Sequence, residues 1–364
     1  MPVALRSTVT VRWSVFLLLA VAGLFYVKWF PYYGRAFDAA SHHSIGKSIL
    51  MGDASSAPDP SWSAALGYAV AYGKAIWKAM VLGLLLGSAL QALIPASWVQ
   101  RALGSSSFAG TVAGGLMGIP GMMCTCCAAP VVVGLRKQRA ATGPSVAFWL
   151  ANTMLNPATL VFTGFVLGWH WTLLRLVLSV PMVFGLGYLA NRFVTNDSTV
   201  HAPTASADRA SADRASDNLA SDNEGQSLAE IGRRWLTVFV RMTVRLIPEY
   251  IVIVLLLGAA RAWMFPHVGP AVGEQWFWIL ALAVAGMLFV IPTAGEVPIV
   301  QAMLALGMGV GPAAALLFTL PPVSLPSMAM LGRSLPLRLL LSLAAAVVAF
   351  GVLAGLIAAG LGMR

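Results

Sequence analysis

Gly118-Ile-Pro-Gly-Met-Met-Cys-Thr-Cys-Cys-Ala-Ala-Pro130 and Ile291-Pro-Thr-Ala-Gly-Glu-Val-Pro298 interrupt two apolar stretches, residues 107–135 and 276–306, near their middles. Proline removes a backbone donor and glycine frees the chain, so neither stretch reads as one helix. Each reads as two short helices meeting at an unwound point. Lipid cannot satisfy bare backbone N–H and C=O groups, so such a point is buried in protein or lines a cavity. The lengths alone leave open whether each hairpin re-enters from one side or crosses fully as two tilted pieces.

Working outward, apolar runs near the twenty residues needed to span a bilayer lie at 13–30, 66–94, 144–168, 171–191, 235–262, 312–331 and 338–362. Hydrophobic residues make up 59% of the 364-residue chain and charged residues only 10%. A soluble domain carries about 25% charged residues, so this chain cannot cover its own core and lipid must solvate it. The net charge of +10 is spread thinly between apolar runs. That distribution fits loops held at an anionic membrane face and excludes a nucleic-acid partner, which needs a basic stripe. Arg6 and Arg12 precede the run 13–30, which lacks a small-x-small cleavage site and reads as an uncleaved signal anchor.

Residues 195–232 differ in kind. Their Ser-Ala-Asp-Arg repeat has no apolar face to bury and predicts a disordered linker. The domain reading is therefore an anchor over 1–30, a first membrane unit over 66–194, the linker, and a second unit over 233–364.

The flanking halves resemble each other. An offset of 168 carries Pro130 onto Pro298, Gly143-Pro144 onto Gly311-Pro312, and Ala147 onto Ala315. Charge adds an orientation. The loop Arg136-Lys137-Gln138-Arg139 is basic while its counterpart at 304–311 is uncharged; the loop 168–171 has no Lys or Arg while its counterpart holds Arg333 and Arg338. Equivalent loops then face opposite sides by the positive-inside rule. The expected fold is an all-α polytopic membrane protein with two inverted-topology repeats, each of about three spans and one broken hairpin. A bacterial inner membrane location follows, with the N-terminus and the linker cytoplasmic.

Of thirteen acidic residues, only Glu249 and Glu296 fall within apolar segments. A carboxylate at membrane depth is costly unless paired, protonated or hydrated, and so marks function by default. Glu296 sits at the second break, where it could hold a cation or coupling proton, or simply favour the next helix N-terminus. An offset of 171 sets Glu249 opposite Lys78, a candidate ion pair. Asn152 and Asn156, at i and i+4, would share one helix face. They could bind substrate, hold unwound backbone or glue helices, and Ser324 is the polar counterpart of Asn156.

The strongest cluster is Cys124-Thr125-Cys126-Cys127. Thiolates favour soft cations such as Cu(I) or Zn(II), and by the same logic trivalent arsenicals. Cys124 and Cys126 on unwound chain could face one point, whereas in a regular helix they would diverge by about 200°. Met122, Met123 and Met154 could add thioethers. No histidine lies near in sequence, against a His-based zinc site. The plain alternative is that cysteines pack as small apolar fillers.

Cys124-Thr-Cys126, a following Pro-Val-Val-Val-Gly-Leu-Arg-Lys, Ala-Phe-Trp-Leu-Ala-Asn-Thr-Met-Leu-Asn-Pro, and Glu296-Val-Pro-Ile-Val in the second half resemble the YraQ/ArsP-type predicted permeases over about 66–362. The resemblance implies a permease with Cys124 and Cys126 as substrate thiols, or metal ligands if the cargo is a soft metal. It implies efflux of trivalent organoarsenicals, or of copper or zinc in related branches. This chain has Cys127-Ala128 where glycine is usual, which loosens the inference to any one cargo. No Walker A or other nucleotide motif occurs, so no cofactor is expected and energy would come from a proton or cation gradient, if any is needed. The alternatives are a permease for a small anion or sulfur compound, and a membrane thiol oxidoreductase using the Cys-x-x-Cys spacing of 124 and 127.

Overall fold

A computed structural model describes residues 3–50, 59, 61–197, 228–265, 272 and 275–363. Among the described residues every regular element is helical, consistent with an all-α polytopic membrane protein. A continuous N-terminal rod comprises α1 (Val3–Leu24), a π-helical turn (Phe25–Trp29) and α2 (Phe30–His42). Then come α3 (Trp62–Leu93) and α4 (Ala96–Leu103). Ser61 caps α3, its hydroxyl accepting from the Ala64 N–H at 3.1 Å. Among the described residues five helices are long and apolar enough to cross a membrane: the N-terminal rod from Thr10, α3, α9 (Trp169–Asp197), α10 (Leu228–Met264) and α15 (Leu337–Gly360).

The first broken stretch forms α5 (Phe108–Gly118), a 3₁₀ turn (Ile119–Gly121) and α6 (Thr125–Lys137), followed by α7 (Thr142–Met154). Its two ends meet, because the Ala141 N–H donates to the Leu103 carbonyl at 2.8 Å. Both ends of the hairpin therefore lie on the same side of its tip. Two contacts hold it. Gly114 and Gly118 bring α5 onto the backbone of Pro144 and Phe148, so α5 and α7 run in parallel. Gly83 and Gly87 bring α3 onto Cys127 and Pro130 of α6. At the open end, Gln138 Nε2 donates to the carbonyls of Gln91, Leu90 and Ile94 at 2.9, 3.1 and 3.3 Å. Those are carbonyls at the end of α3, which lack intrahelical partners.

The second broken stretch gives α11 (Trp276–Leu288), an unwound tip and α12 (Glu296–Ala305), followed by α13 (Val310–Thr319). Its ends also meet, the Gly309 N–H donating to the Val272 carbonyl at 2.8 Å. Ala294 and Val297 cluster with Phe162 of α8 (Pro157–Val166), and Gln301 Nε2 reaches the His43 carbonyl beside the end of α8. The second hairpin thus opens at the far end of α8, opposite the open end of the first. The tips meet between.

Two expected spans are not single helices. Residues 144–168 divide into α7 and α8 at Leu155-Asn156, and 312–331 divide into α13 and α14 (Leu325–Leu331) across 320–324. Pro157 and Pro326 enforce this, since proline supplies no N–H and pushes the preceding residue out of helical geometry. The N-terminal anchor runs past residue 30 to His42. Most of the expected linker, 198–227, lies outside the described residues; its flanks 195–197 and 228–232 are helical.

Candidate functional site

Four helix breaks converge at the centre of the bundle. They leave a small, partly open pocket of about 10 Å³, room for roughly one water in this state, lined in part by Met123, Cys124, Asn156, Thr293 and Glu296. Both hairpin tips hold a non-glycine residue in the left-handed region, Met122 at φ 48° and Ala294 at φ 65°. Such conformations persist only where surrounding contacts fix them. The fixing contacts are visible. Asn152 Oδ1 accepts the Met123 N–H at 3.2 Å, and the buried Tyr68 and Tyr72 hydroxyls donate to the Val290 and Ile291 carbonyls.

The three thiols are free and buried. They do not face one point as the unwound reading allowed. Cys124 is the last residue before α6, while Cys126 and Cys127 already lie in its first turn, where helical rotation separates them. Cys124 lines the cavity and stands 2.8 Å from Cys127 Sγ. Cys126 turns toward Ser324, 3.6 Å from its hydroxyl, and Thr125 Oγ1 lies 3.2 Å from the same oxygen. The close pair is therefore Cys124 with Cys127, rather than Cys124 with Cys126. Among the described residues no group of three or more His, Cys, Asp or Glu is arranged to hold a metal ion. Met122 and Met154 are buried nearby in sequence, and Met123 reaches the cavity wall.

Asn152 and Asn156 do not share a helix face, because the helix ends between them. Asn152 supports the first tip. Asn156 caps α8: its Oδ1 accepts the Ala158 and Thr159 N–H groups at 3.0 and 3.3 Å. Its Nδ2 is fully buried with no partner. Ser324 forms a capping arrangement with Ser327 at the start of α14.

Glu296 opens α12 and is 1% exposed. Arg175 Nη1 of α9 donates to its Oε1 at 2.8 Å, and Arg175 Nη2 donates to the Thr153 carbonyl at 3.0 Å. This ion pair ties the second tip and the α7–α8 break to the scaffold. Lys78 and Glu249 take separate partners. Glu249 Oε2 stands 3.3 Å from Arg333 Nη2 in a half-exposed pair, and Lys78 Nζ lies over the Tyr26 and Trp77 rings. The two helices do pack on each other, Tyr72 against Tyr250 and Gln91 against Met242, but Lys78 and Glu249 are engaged elsewhere.

Two basic residues of the site escaped the sequence reading. Arg175 lies four residues inside an expected span, and Lys28 near the end of the expected anchor. The cost of burying charge applies to cations as it does to carboxylates, so both positions are marked by the sequence in the same way as Glu296. Lys28 is 4% exposed and donates to Thr293 Oγ1 at 2.9 Å. Its neighbours in the rod bridge both tips: Trp29 Nε1 donates to the Pro120 carbonyl at 3.1 Å, and the Tyr32 hydroxyl to the Thr293 carbonyl at 3.4 Å.

With the geometry in hand, the likeness to known proteins is specific. Residues 62–360 match the ArsP_1 family, described as a predicted permease. The chain is 48% identical over 353 residues to the UPF0718 protein YraQ of Escherichia coli strain K12, covering 96% of each chain. It is 23% identical over 335 residues to a UPF0718 protein of Methanocaldococcus jannaschii, covering 77% of this chain and 90% of that one. No solved structure matches.

Proposed function

The chain belongs to the ArsP_1 family of predicted permeases, a multi-pass membrane transporter, and on that premise we propose that it moves a small thiophilic species through the cavity between the hairpin tips. The observation that carries this reading is buried Cys124 on the wall of the central pocket, backed by the Cys127 thiol at 2.8 Å. Two adjacent thiols can exchange onto a soft centre, a trivalent organoarsenical first, with copper or zinc as other soft cargoes. The direction proposed is efflux across a bacterial inner membrane.

The mechanism proposed is alternating access by two inverted repeats. Supporting this, the same contacts recur at the offset of 168. Gly187 packs on Thr111, the Gly143 carbonyl and Ala147, and Gly355 packs on Ile279, the Gly311 carbonyl and Ala315. The Ala141-to-Leu103 bond has a near counterpart from Gly309 to Val272, with the donor at the same offset and the acceptor one residue further on. Hairpins that open at opposite ends would shield the cavity from either side in turn. Glu296 is held by Arg175 in this state; releasing it in another state would free a carboxylate for a proton or cation.

A second reading, a membrane thiol oxidoreductase, is favoured by that same Cys124–Cys127 approach. One experiment separates the two. A sensitive bacterial host expresses the wild type or single Cys124, Cys126 and Cys127 to Ser variants at matched levels, and resistance is scored against methylarsenite, arsenite, copper and zinc. Protection abolished at Cys124 and weakened at Cys127 is expected. Protection indifferent to all three thiols ends the thiol reading and leaves an anion or sulfur-compound permease. A disulfide between 124 and 127 required for activity favours the oxidoreductase.

A further inference from the structure

The thiols make only one wall of the cavity. Besides Cys124, it is lined by polar groups whose hydrogen-bonding capacity is unspent. Asn156 fixes its orientation by capping: Oδ1 must face the two backbone N–H groups of α8, so Nδ2 is left as the donor, buried and without a partner. Buried donors without partners are costly and uncommon, and they call for an acceptor. Thr293 is the second group. Its Oγ1 accepts from the Lys28 ammonium, so its own hydroxyl proton is directed away from Lys28. Thr293 lines the same cavity as Asn156 and Cys124.

Charge points the same way. The carboxylate on this cavity, Glu296, is already engaged by Arg175. Lys28 meets Thr293 Oγ1 and the face of the Tyr32 ring, 5.4 Å from its centroid, and lies within electrostatic reach of the Cys124 and Cys127 thiols. A buried ammonium is stabilised by a nearby negative charge. Its position within the bundle is held by the π-helical turn at 25–29, a distortion frequent at functional sites.

Building on the thiophilic reading, we infer that Asn156 Nδ2 and the Thr293 hydroxyl, with Lys28 as the positioning residue behind Thr293, form a donor wall. It selects cargo that presents an oxygen with negative or partial negative charge alongside the soft atom bound by Cys124. The wall favours a hydroxo or oxo species of a soft element over a bare soft cation. Lys28 lies outside the family-matched residues 62–360, so the N-terminal rod contributes to specificity as well as to anchoring.

The test uses the purified full chain in nanodiscs, with tryptophan fluorescence reporting binding of two probes. Methylarsenite carries two hydroxyls on its soft atom; exchange onto Cys124 Sγ alone breaks one As–O bond, the hydroxyl leaving as water with the thiol proton, and keeps the other hydroxyl for the donors, whereas Ag(I) is a bare soft cation. Asn156→Asp keeps the helix cap while replacing the donor with an anionic oxygen. Thr293→Val keeps the shape and removes the hydroxyl. Lys28→Met removes the charge at similar length, and Lys28→Arg restores it. Asn156→Asp, Thr293→Val and Lys28→Met should each weaken methylarsenite binding about tenfold or more, the cost of one charge-assisted hydrogen bond. Ag(I) binding should stay within about twofold, because Ag(I) makes no demand on donors. Lys28→Arg should recover most of the loss. Equal losses for both probes, or none, overturn the donor wall. A wild type that binds Ag(I) but not methylarsenite overturns it while sparing the thiol reading, and a wild type that binds neither overturns both.

Discussion

Removing the arginine of the Arg175–Glu296 pair tests whether the second hairpin tip is held electrostatically. The charges approach to 2.8 Å, and the two side chains are only 1% and 2% exposed. At an effective dielectric near 20, their attraction is about 6 kcal/mol. Desolvation of two ions offsets several kcal/mol each, so the intact pair is close to neutral against a well-packed apolar replacement. Truncating one partner is different, because the other charge stays buried and uncompensated. Arg175→Met leaves Glu296 in that condition and also strips the Thr153 carbonyl of its 3.0 Å donor, at an expected cost of about 3–5 kcal/mol. Glu296→Gln keeps a carbonyl acceptor but leaves the always-charged Arg175 guanidinium buried without a counter-charge, so its expected cost is similar, about 3–5 kcal/mol. The double variant should be less destabilised than the two single effects combined, by at least about 1.5 kcal/mol, since it leaves no orphan charge. Unfolding by SDS titration in mixed micelles measures all four corners of this cycle. Additivity within about 0.5 kcal/mol would refute the argument: the two groups would then act independently, and the tip would be held by packing alone.

Three further outcomes are expected. Reporter fusions after residue 139 and after residue 309 should lie on opposite sides of the membrane, because the hairpins open at opposite ends; finding both on one side would end the inverted-repeat proposal. Gln138→Ala should destabilise by about 1–3 kcal/mol in the same SDS titration, since one side chain serves three end carbonyls of α3, and an effect below about 0.5 kcal/mol would show those carbonyls otherwise satisfied. Gly83→Val should destabilise by about 1–3 kcal/mol through overpacking, because even the first side-chain carbon would collide with the Cys127 carbonyl; a wild-type thermal midpoint would mean that α6 is free to shift from α3.

The breaks at 118–130 and 291–298 were legible because proline and glycine act locally, through their own backbone. The breaks at Asn156-Pro157 and Pro321–Pro326 carry the same residue types, yet continuous hydrophobicity masked them: an apolar run is equally apolar whether its helix is whole or divided. Cap chemistry was the signal that could have found them. Asn before Pro, and Ser two residues before Pro, are helix starts inside what reads as a span. Recognising Asn156 as a cap would have separated it from the face of Asn152 and exposed its amide nitrogen as a spare donor.

What the sequence withheld is the pairing across distance. Nothing local joins Arg175 to Glu296, 121 positions on, or Lys28 to Thr293, 265 positions on. A bilayer nonetheless narrows the possibilities, since each buried charge needs a partner and few polar groups exist at that depth. Listing cations beside carboxylates would have reduced the question to a handful of pairings. The structure chose the ones that tie scaffold to tip. Arg175 on a long helix grips the second hairpin, and the N-terminal rod grips both. A transporter that opens by moving its tips has to break such contacts, so the residues that hold this state together are also those whose release would govern exchange of cargo.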